Sequence, residues 1–216
     1  MSAARALARL RDLGKAVVTT ADAALVLGAT PSAASRTLAR LAKSGLAQRI
    51  RHGLWTLEDA LDPLRLPEYL TAPLPSYVSL QSALFLHGMI DQIPQVIYVA
   101  SLAPTRRVRT RLGTFSIHRI GPRFFGGYSR SGPSGAWLAT PEKALLDTLY
   151  LAPARSRLFA SLPEIELSRG FSARRARKWL QRLPAGPRRI MVTRRLEAIL
   201  AEAPSDGKRN SRTSPR

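Results

Sequence analysis

Apolar side chains recur at helical spacing at the start of the chain. Leu7, Leu10 and Leu13 lie three residues apart within residues 1–13, which predicts an amphipathic first helix. The β-branched run at residues 16–19 then predicts a short strand. The chain is therefore expected to open with a helix and a strand that belong to one small folded unit.

A second helix is predicted over residues 21–27. Thr20 precedes it as a candidate N-cap, and Gly28 follows it as a natural helix terminator. Its expected core-facing residues are Ala24, Leu25 and Leu27. Since the next helix signal comes within three residues of Gly28, these two helices are expected to be joined by a tight turn.

A third helix is predicted from the Thr30-Pro31 pair to Ser44, with Gly45 as its stop, because threonine caps a helix and proline suits its first position. Ala34, Leu38 and Leu41 recur at i, i+4 and i+7, so they should face the core. The opposite, solvent-facing side is polar and basic, and it carries Ser32, Ser35, Arg36, Arg40 and Lys43, with Thr37 on its flank.

Two short strand-like runs follow, at residues 46–50 and 54–57. They flank the turn Arg51-His52-Gly53 and predict a basic β-hairpin. Two helices with a tight turn, a polar second helix and a hairpin behind it are the order of a winged helix-turn-helix. Residues 1–58 are therefore predicted to form a DNA-binding domain.

Double-stranded operator DNA is the partner that this arrangement predicts. Arginine bonds guanine edges in the major groove, hydroxyl groups contact bases or phosphates, and wing residues contact the backbone or minor groove. The alternative is that the charged helix face is simply solvated. The candidate DNA-binding residues are Thr30, Ser32, Ser35, Arg36, Thr37, Arg40, Lys43, Arg49, Arg51 and His52.

The rest of the chain predicts a second domain of mixed composition. Residues 59–76 are rich in proline and are expected to be a linker, residues 77–204 a carboxy-terminal domain, and residues 205–216 a disordered basic tail. Expected helices are 79–87, capped by Ser79, one that starts at Thr140-Pro141, 172–183 and 187–203; expected strands are 95–100, 108–111, 113–120 and 136–139. The predicted fold class is α+β, with a winged helix followed by a small sheet and several helices.

Charge extends the nucleic-acid hypothesis to this second domain. The chain has 34 Lys and Arg against 14 Asp and Glu, a net charge of +20, which attracts polyanions. An arginine-rich genome is the alternative source of the bulk excess, so the clustering matters more than the total. Two acid-free stretches suggest a second phosphate-contacting surface: Arg106, Arg107, Arg109 and Arg111, and Arg174, Arg175, Arg177 and Lys178.

No catalytic, cofactor or metal site is predicted. The three histidines lack metal-binding spacing, and no nucleophile elbow or phosphate-binding glycine loop occurs. His87 is expected to be a buried, hydrogen-bonded structural residue, and Glu142 and Asp147 a first-turn charge and a packing-site hydrogen-bonder. Absence of cysteine fits a reducing cytoplasm, and no apolar run is long enough for a membrane span.

Three segments resemble the AbiEi antitoxins of type IV abortive-infection toxin–antitoxin systems. They are residues 77–88 (YVSLQSALFLHG), the strand 96–100, and residues 139–147 (ATPEKALLD), all behind an amino-terminal winged helix. The resemblance implies a non-enzymatic repressor of its own operon, which binds repeated half-sites and neutralises a nucleotidyltransferase toxin without a stable complex. It associates the antitoxin activity with the segment from about Tyr77 onward.

Two other functions remain open from the residues alone. A ligand-responsive winged-helix transcriptional regulator would use the second domain as a sensor pocket. An RNA-binding or nuclease-like protein would need aromatic stacking surfaces or a cluster of carboxylates for metal, and the few aromatic residues and scattered acids argue against it.

Overall fold

The computed structural model describes residues 2–132, 134–152 and 163–202. Its amino-terminal part is a winged helix whose three antiparallel strands have the order β1-β3-β2. This confirms the predicted fold class. The elements are α1 (Ala3–Arg11), β1 (Val17–Thr19), α2 (Thr20–Leu27), α3 (Pro31–Lys43), β2 (Gln48–Arg51) and β3 (Leu54–Thr56).

The helix α2 differs from its prediction in two respects. Thr19, rather than Thr20, is the N-cap, because its side chain and that of Asp22 exchange hydrogen bonds with each other's backbone in a capping box. Leu25, predicted to pack inside, has 84% of its side-chain surface exposed. The helix buries Ala24 and Leu27 on one side, and Leu25 is rotated about 100° and 200° from these two residues.

The three-stranded sheet is covered on both faces. Val18 and Trp55 pack on the helices, whereas their neighbours Val17 and Leu54 pack on the opposite side. Consecutive strand residues point to opposite faces, so a pair of adjacent apolar residues in β1 and in β3 specifies two buried faces. The wing sheet is therefore a middle layer of the molecule.

The second part of the chain contains a six-stranded sheet with the order β6-β7-β5-β4-β9-β8. The β4/β9 and β5/β7 pairs are parallel and the others are antiparallel. The strands are β4 (Ser76–Val78), β5 (Ile97–Ser101), β6 (Arg106–Thr110), β7 (Gly113–Arg119), β8 (Tyr128–Ser131) and β9 (Ala136–Ala139). The sequence prediction lacked β4 and β8.

Helices cover one face of this sheet. The predicted helix starts at Pro141 and Pro187 are confirmed. Ser79 precedes α5 but makes no capping hydrogen bond, because its hydroxyl donates to Asp147 instead. The helices are α5 (Leu80–Leu86), α6 (Pro141–Leu151), α7 (Ala173–Leu180) and α8 (Pro187–Glu202).

The other face of the sheet packs against the winged helix. Val99, Phe115 and Ile117 from β5 and β7 share one apolar cluster with Val17 and Leu54 from the wing sheet. The segment 59–76, predicted to be a linker, is folded into this contact: it forms a 3₁₀ helix (Pro63–Arg65) and α4 (Pro67–Thr71). Its apolar residues Leu61, Leu66 and Leu70 are buried in the same cluster, which explains why the segment is ordered. The predicted tail, residues 205–216, lies outside the described residues.

A buried ion pair anchors α6 to the sheet. The Lys143 ammonium bonds the Asp147 carboxylate one turn later, and both side chains are fully buried. The other carboxylate oxygen accepts hydrogen bonds from Tyr77 and Ser79, at 3.0 and 2.7 Å. Burial raises the pKa of Asp147 and lowers the pKa of Lys143, while each partner opposes the shift of the other. The prediction that Asp147 is a packing-site hydrogen-bonder is confirmed.

Replacement of Asp147 should strongly destabilise the fold. Asp147→Ala leaves the Lys143 ammonium and two hydroxyl groups buried without their acceptor, so we expect a loss of about 3–5 kcal/mol in the free energy of unfolding. Urea denaturation of the purified variants measures it. Asp91→Ala, which removes an exposed acid, should cost less than about 0.5 kcal/mol. The double variant Lys143→Met/Asp147→Asn should be more stable than Asp147→Ala; equal or lower stability would contradict this account of the pair.

Stability should also fall in acid through His118. Burial lowers the pKa of this side chain from 6.5 to about 4, so the folded state holds it neutral. Above pH 6.5 the residue is neutral in both the folded and the unfolded state. As the pH falls from 6.5 to 4, protonation of the unfolded state lowers the free energy of unfolding, by about 3 kcal/mol in total. Denaturation from pH 7 to 4 should give a shallower pH dependence for His118→Gln than for the wild type. An unchanged dependence would refute the assignment, and His52→Gln, at an exposed site, serves as the control.

Candidate nucleic-acid interface

The exposed face of α3 carries most of the predicted contact residues. Ser32, Arg36, Arg40 and Lys43 are exposed, whereas Ser35 and Thr37 are half-buried on its flanks. The Arg40 guanidinium lies 3.5 Å from the Thr37 hydroxyl, a weak bond that leaves most of its donors available. Ala34, Leu38 and Leu41 are buried on the opposite side, as predicted. This amphipathic division fixes which side of the helix a ligand meets.

Thr30 has a structural role at the start of α3. Its hydroxyl accepts a hydrogen bond from the Ala33 amide at 3.3 Å, and it lies 3.1 Å from the Ser32 hydroxyl. Pro31 fills the first helical position, where no amide hydrogen is needed. Thr30 thus sets where α3 begins, and Ser32 sits in the first turn, where amide groups and the helix dipole favour a phosphate.

Polar contacts hold the wing in place beside the two helices. The Trp55 indole donates to the Thr20 hydroxyl at 3.2 Å, and the Thr20 amide donates to the Gly53 carbonyl at 3.0 Å. Gly28, with φ of 62°, forms the left-handed turn between α2 and α3 that glycine adopts without strain. The wing tip and α3 are therefore fixed to the same element, α2.

The wing presents its basic residues to solvent. Arg49, Arg51 and His52 are exposed, and the Arg49 guanidinium contacts the His52 ring at 3.0 Å and lies over Trp55. The register between β2 and β3 shifts between Arg49 and Arg51, so Ile50 is the extra residue of a β-bulge. Its side chain is buried and its carbonyl points away from the β3 ladder.

That carbonyl joins the wing to the second sheet. The Arg111 amide, at the tip of the hairpin between β6 and β7, donates to the Ile50 carbonyl at 3.1 Å. Arg109 and Arg111 are exposed. The hydrogen bond brings Arg111 next to Arg51, so the wing and the hairpin tip form one basic surface, here called the wing–hairpin surface: Arg49, Arg51, His52 and Arg111. Arg109 lies on the other face of β6 from Val108, which packs toward the wing sheet. The sequence predicts each residue of the wing–hairpin surface as a basic contact, but no local pattern indicates that they lie side by side.

The predicted second basic surface is divided by the structure. Arg106 donates to the Leu70 carbonyl at 2.7 Å and holds α4 in place, while Arg107 is exposed. On α7, Arg175 bonds the buried carboxylate of Glu142, and Arg177 forms a bidentate pair with Glu197. Glu142, predicted to be a first-turn charge, therefore also bonds a second helix. Arg174 and Lys178 remain exposed.

The two halves of that surface lie at opposite edges of the six-stranded sheet. Trp179 of α7 packs on Gly126 and Gly127, which lead into β8, whereas β6 is the other edge strand. Five strand spacings of about 4.8 Å separate the edges by roughly 24 Å. The α7 residues therefore cannot share a compact DNA contact with the wing.

Charge balance in the winged helix favours an anionic ligand. Residues 1–57 contain nine Arg and Lys and two acids, Asp12 and Asp22, and Asp22 is bonded to Lys15 at 2.8 Å. The pKa of Asp22 is lowered, although burial opposes the effect of its hydrogen bonds from Lys15 and Thr19. Among the described residues, the arginines of α3 and of the wing form no ion pair with a carboxylate.

Histidine and carboxylate side chains do not form a metal-binding group within the described ranges. Half-buried His87 bonds the Ala139 carbonyl at 2.7 Å, which fits a structural role. His118 is buried and contacts the Ser116 hydroxyl at 2.9 Å. Across residues 2–132, 134–152 and 163–202, every helix is too short or too polar to span a membrane.

Comparison with known proteins gives a family match that covers the winged helix. Residues 5–57 match the profile of a family described as a transcriptional regulator, AbiEi antitoxin. This confirms, for the amino-terminal quarter of the chain, the family resemblance predicted from the sequence. A search of curated proteins found no match.

The wing–hairpin surface predicts a specific change in the salt dependence of DNA binding. Each lost phosphate contact makes the slope of log K against log salt concentration shallower by about 0.9. We expect Arg51→Ala/Arg111→Ala to reduce the slope by up to about 2, measured by fluorescence anisotropy with a duplex between 50 and 200 mM salt.

The matched control is Arg174→Ala/Lys178→Ala, which removes the same net charge from the opposite edge of the sheet. It should leave the slope within error of the wild type. Equal effects of the two double variants would mean that the general field of the protein, rather than the position of the hairpin, determines DNA attraction.

Proposed function

We propose, from the premise that residues 5–57 are of the AbiEi antitoxin type, that the chain is a transcriptional repressor which binds operator DNA and acts as an antitoxin. The observation that carries the DNA-binding part is the exposed, acid-free face of α3 beside the wing–hairpin surface. The predicted contact residues of α3 and the wing form this interface.

The dimensions of α3 suit a major groove. Its 13 residues extend about 20 Å, and Arg36 and Arg40 are separated by about one turn, so both guanidinium groups project from one side. A major groove about 12 Å wide admits such a helix, and each arginine can bond the O6 and N7 atoms of a guanine. In this arrangement Ser32 and Lys43 contact phosphates at the two ends of the helix.

The wing–hairpin surface contacts the DNA backbone next to the groove. Because Arg111 is tied to the bulge of β2, the second domain contributes phosphate contacts that a free winged helix would lack. These contacts carry no sequence information, but they set the orientation of α3. Repression then follows from occupation of repeated half-sites in the promoter of the protein's own operon.

The antitoxin part of the proposal rests on the family description. We assign it to the second domain, and we take the toxin to be a nucleotidyltransferase that is counteracted without a stable complex. Co-expression of a cognate toxin with the wild type and with an operator-binding variant tests this assignment: protection by both, without co-purification of toxin, is the expected result. In this proposal the protein acts on operator DNA in the cytoplasm, and the role requires no catalytic residue.

Operator binding should depend on Arg36 and Arg40. We expect Arg36→Ala/Arg40→Ala to lower the affinity for the protein's own upstream DNA by at least about 30-fold, because each bidentate base contact contributes about 1–3 kcal/mol. An electrophoretic mobility shift against scrambled competitor DNA measures it. Arg174→Ala/Lys178→Ala removes the same charge and should change the affinity by less than about twofold.

Two results would overturn the repressor proposal. One is equal binding of the wild type to upstream and scrambled DNA, and the other is unchanged sequence preference in Arg36→Ala/Arg40→Ala. Far-ultraviolet circular dichroism of each variant confirms that the exposed substitutions leave the fold intact.

A further inference from the structure

Three adjoining cavities surround the connection between α7 and α8. All three are lined by Leu183 and Pro184, and they open on the helical side of the six-stranded sheet. Two of them differ in chemistry: one of about 350 Å³ is largely apolar, and one of about 550 Å³ is lined by arginine. Both are clefts open to solvent, the arginine-lined one more widely than the apolar one, and clefts of this volume are common for small-molecule sites.

The apolar compartment has an aromatic wall. Phe124 is buried and Tyr150 half-buried, with their ring centroids 5.1 Å apart, and exposed Pro184 also lines the compartment. The Arg188 guanidinium lies over the Tyr150 ring at 4.9 Å. The two rings are tilted by 34°, and a flat aromatic ligand would stack on the Arg188 guanidinium, because guanidinium groups stack on nucleobases.

The basic compartment begins at the edge of the apolar one. Arg123, Arg182 and Arg189 line it, Arg123 is shared with the apolar compartment, and Arg189 is half-buried. Among the described residues that line the three cavities there is no carboxylate. Arg182 also lies close enough to the buried Lys143 to lower the pKa of that ammonium.

Clustered guanidinium groups without a counter-charge repel one another, and an anion relieves this repulsion. Arginine is the side chain best suited to bidentate bonds with phosphate. From an aromatic compartment that adjoins a cluster of three arginines, we infer a binding site for a nucleoside triphosphate between α6, α7 and α8. Its base stacks on Arg188 beside Tyr150 and Pro184. Its phosphates bond Arg123, Arg182 and Arg189.

The site is separate from the candidate DNA interface. Arg182 and Arg189 follow α7, which packs at the β8 edge of the sheet, and Arg123 lies between β7 and β8, whereas the wing contacts the β6 edge. Nucleotide binding therefore goes beyond the proposed operator binding, and either one can fail without the other. It also names a ligand class for the alternative in which the second domain is the sensor of a ligand-responsive regulator.

Titration calorimetry of the full chain without DNA tests the inference. The probes are ATP, GTP, CTP and UTP, with tripolyphosphate and the free nucleosides as partial ligands. We expect at least one nucleoside triphosphate to bind in the micromolar range, and tripolyphosphate and nucleoside each to bind at least about tenfold more weakly.

The variant Arg182→Ala/Arg189→Ala should weaken nucleotide binding by about tenfold or more, because two charge-assisted contacts are lost. The matched control Arg174→Ala/Lys178→Ala removes the same charge from the neighbouring surface of α7 and should stay within about twofold of the wild type. Thermal unfolding establishes that both variants fold. The inference is overturned if no nucleotide binds at millimolar concentration, if tripolyphosphate binds as tightly as the nucleotides, or if the control loses as much affinity as the test variant.

Discussion

The apolar layer between the two sheets determines how the molecule presents its candidate DNA-binding surface. Val17, Ile50 and Leu54 of the wing sheet pack against Val99, Phe115 and Ile117 of the larger sheet, with α4 and its flanking residues at the edge. Burial of a single such side chain is worth about 1.5–3 kcal/mol, so separating the layers would cost many times the thermal energy. The wing, the hairpin between β6 and β7, and α3 consequently behave as parts of one rigid body.

Local patterns were sufficient to predict most elements. The Thr30-Pro31 and Thr140-Pro141 starts, the buried face of α3 and the hairpin of the wing follow from capping and periodicity, which act over a few residues. The predictions failed where the role of a residue depends on a partner that is distant in the sequence. Ser79 was predicted as a cap, but its hydroxyl bonds Asp147, 68 residues away. Likewise, the segment 59–76 contains prolines typical of a linker, yet its leucines fill a gap between two sheets.

The residues of the candidate site could be predicted from the sequence. Which of the basic residues lie together on one surface could not. Exposure of Arg36 and Arg40 follows from helix periodicity alone. The division of the second-domain arginines does not, because it depends on which of them meets a carbonyl or a carboxylate: Arg106 bonds the Leu70 carbonyl, and Arg175 bonds Glu142. In a chain with 34 basic and 14 acidic residues, charge pairing alone cannot show which arginines serve the fold, because some of them bond backbone carbonyls instead.

The bulge at Ile50 has a thermodynamic consequence. Because its side chain enters the layer shared by the two sheets and its carbonyl bonds Arg111, any displacement of the β6–β7 hairpin must be transmitted to the wing tip. If a ligand or partner that moves the larger sheet changes DNA affinity by some factor, DNA changes the affinity for that ligand by the same factor, since linkage between two sites is reciprocal. DNA bound to the wing would by the same coupling favour one conformation of the second domain. Occupancy of the operator would then regulate what the second domain binds.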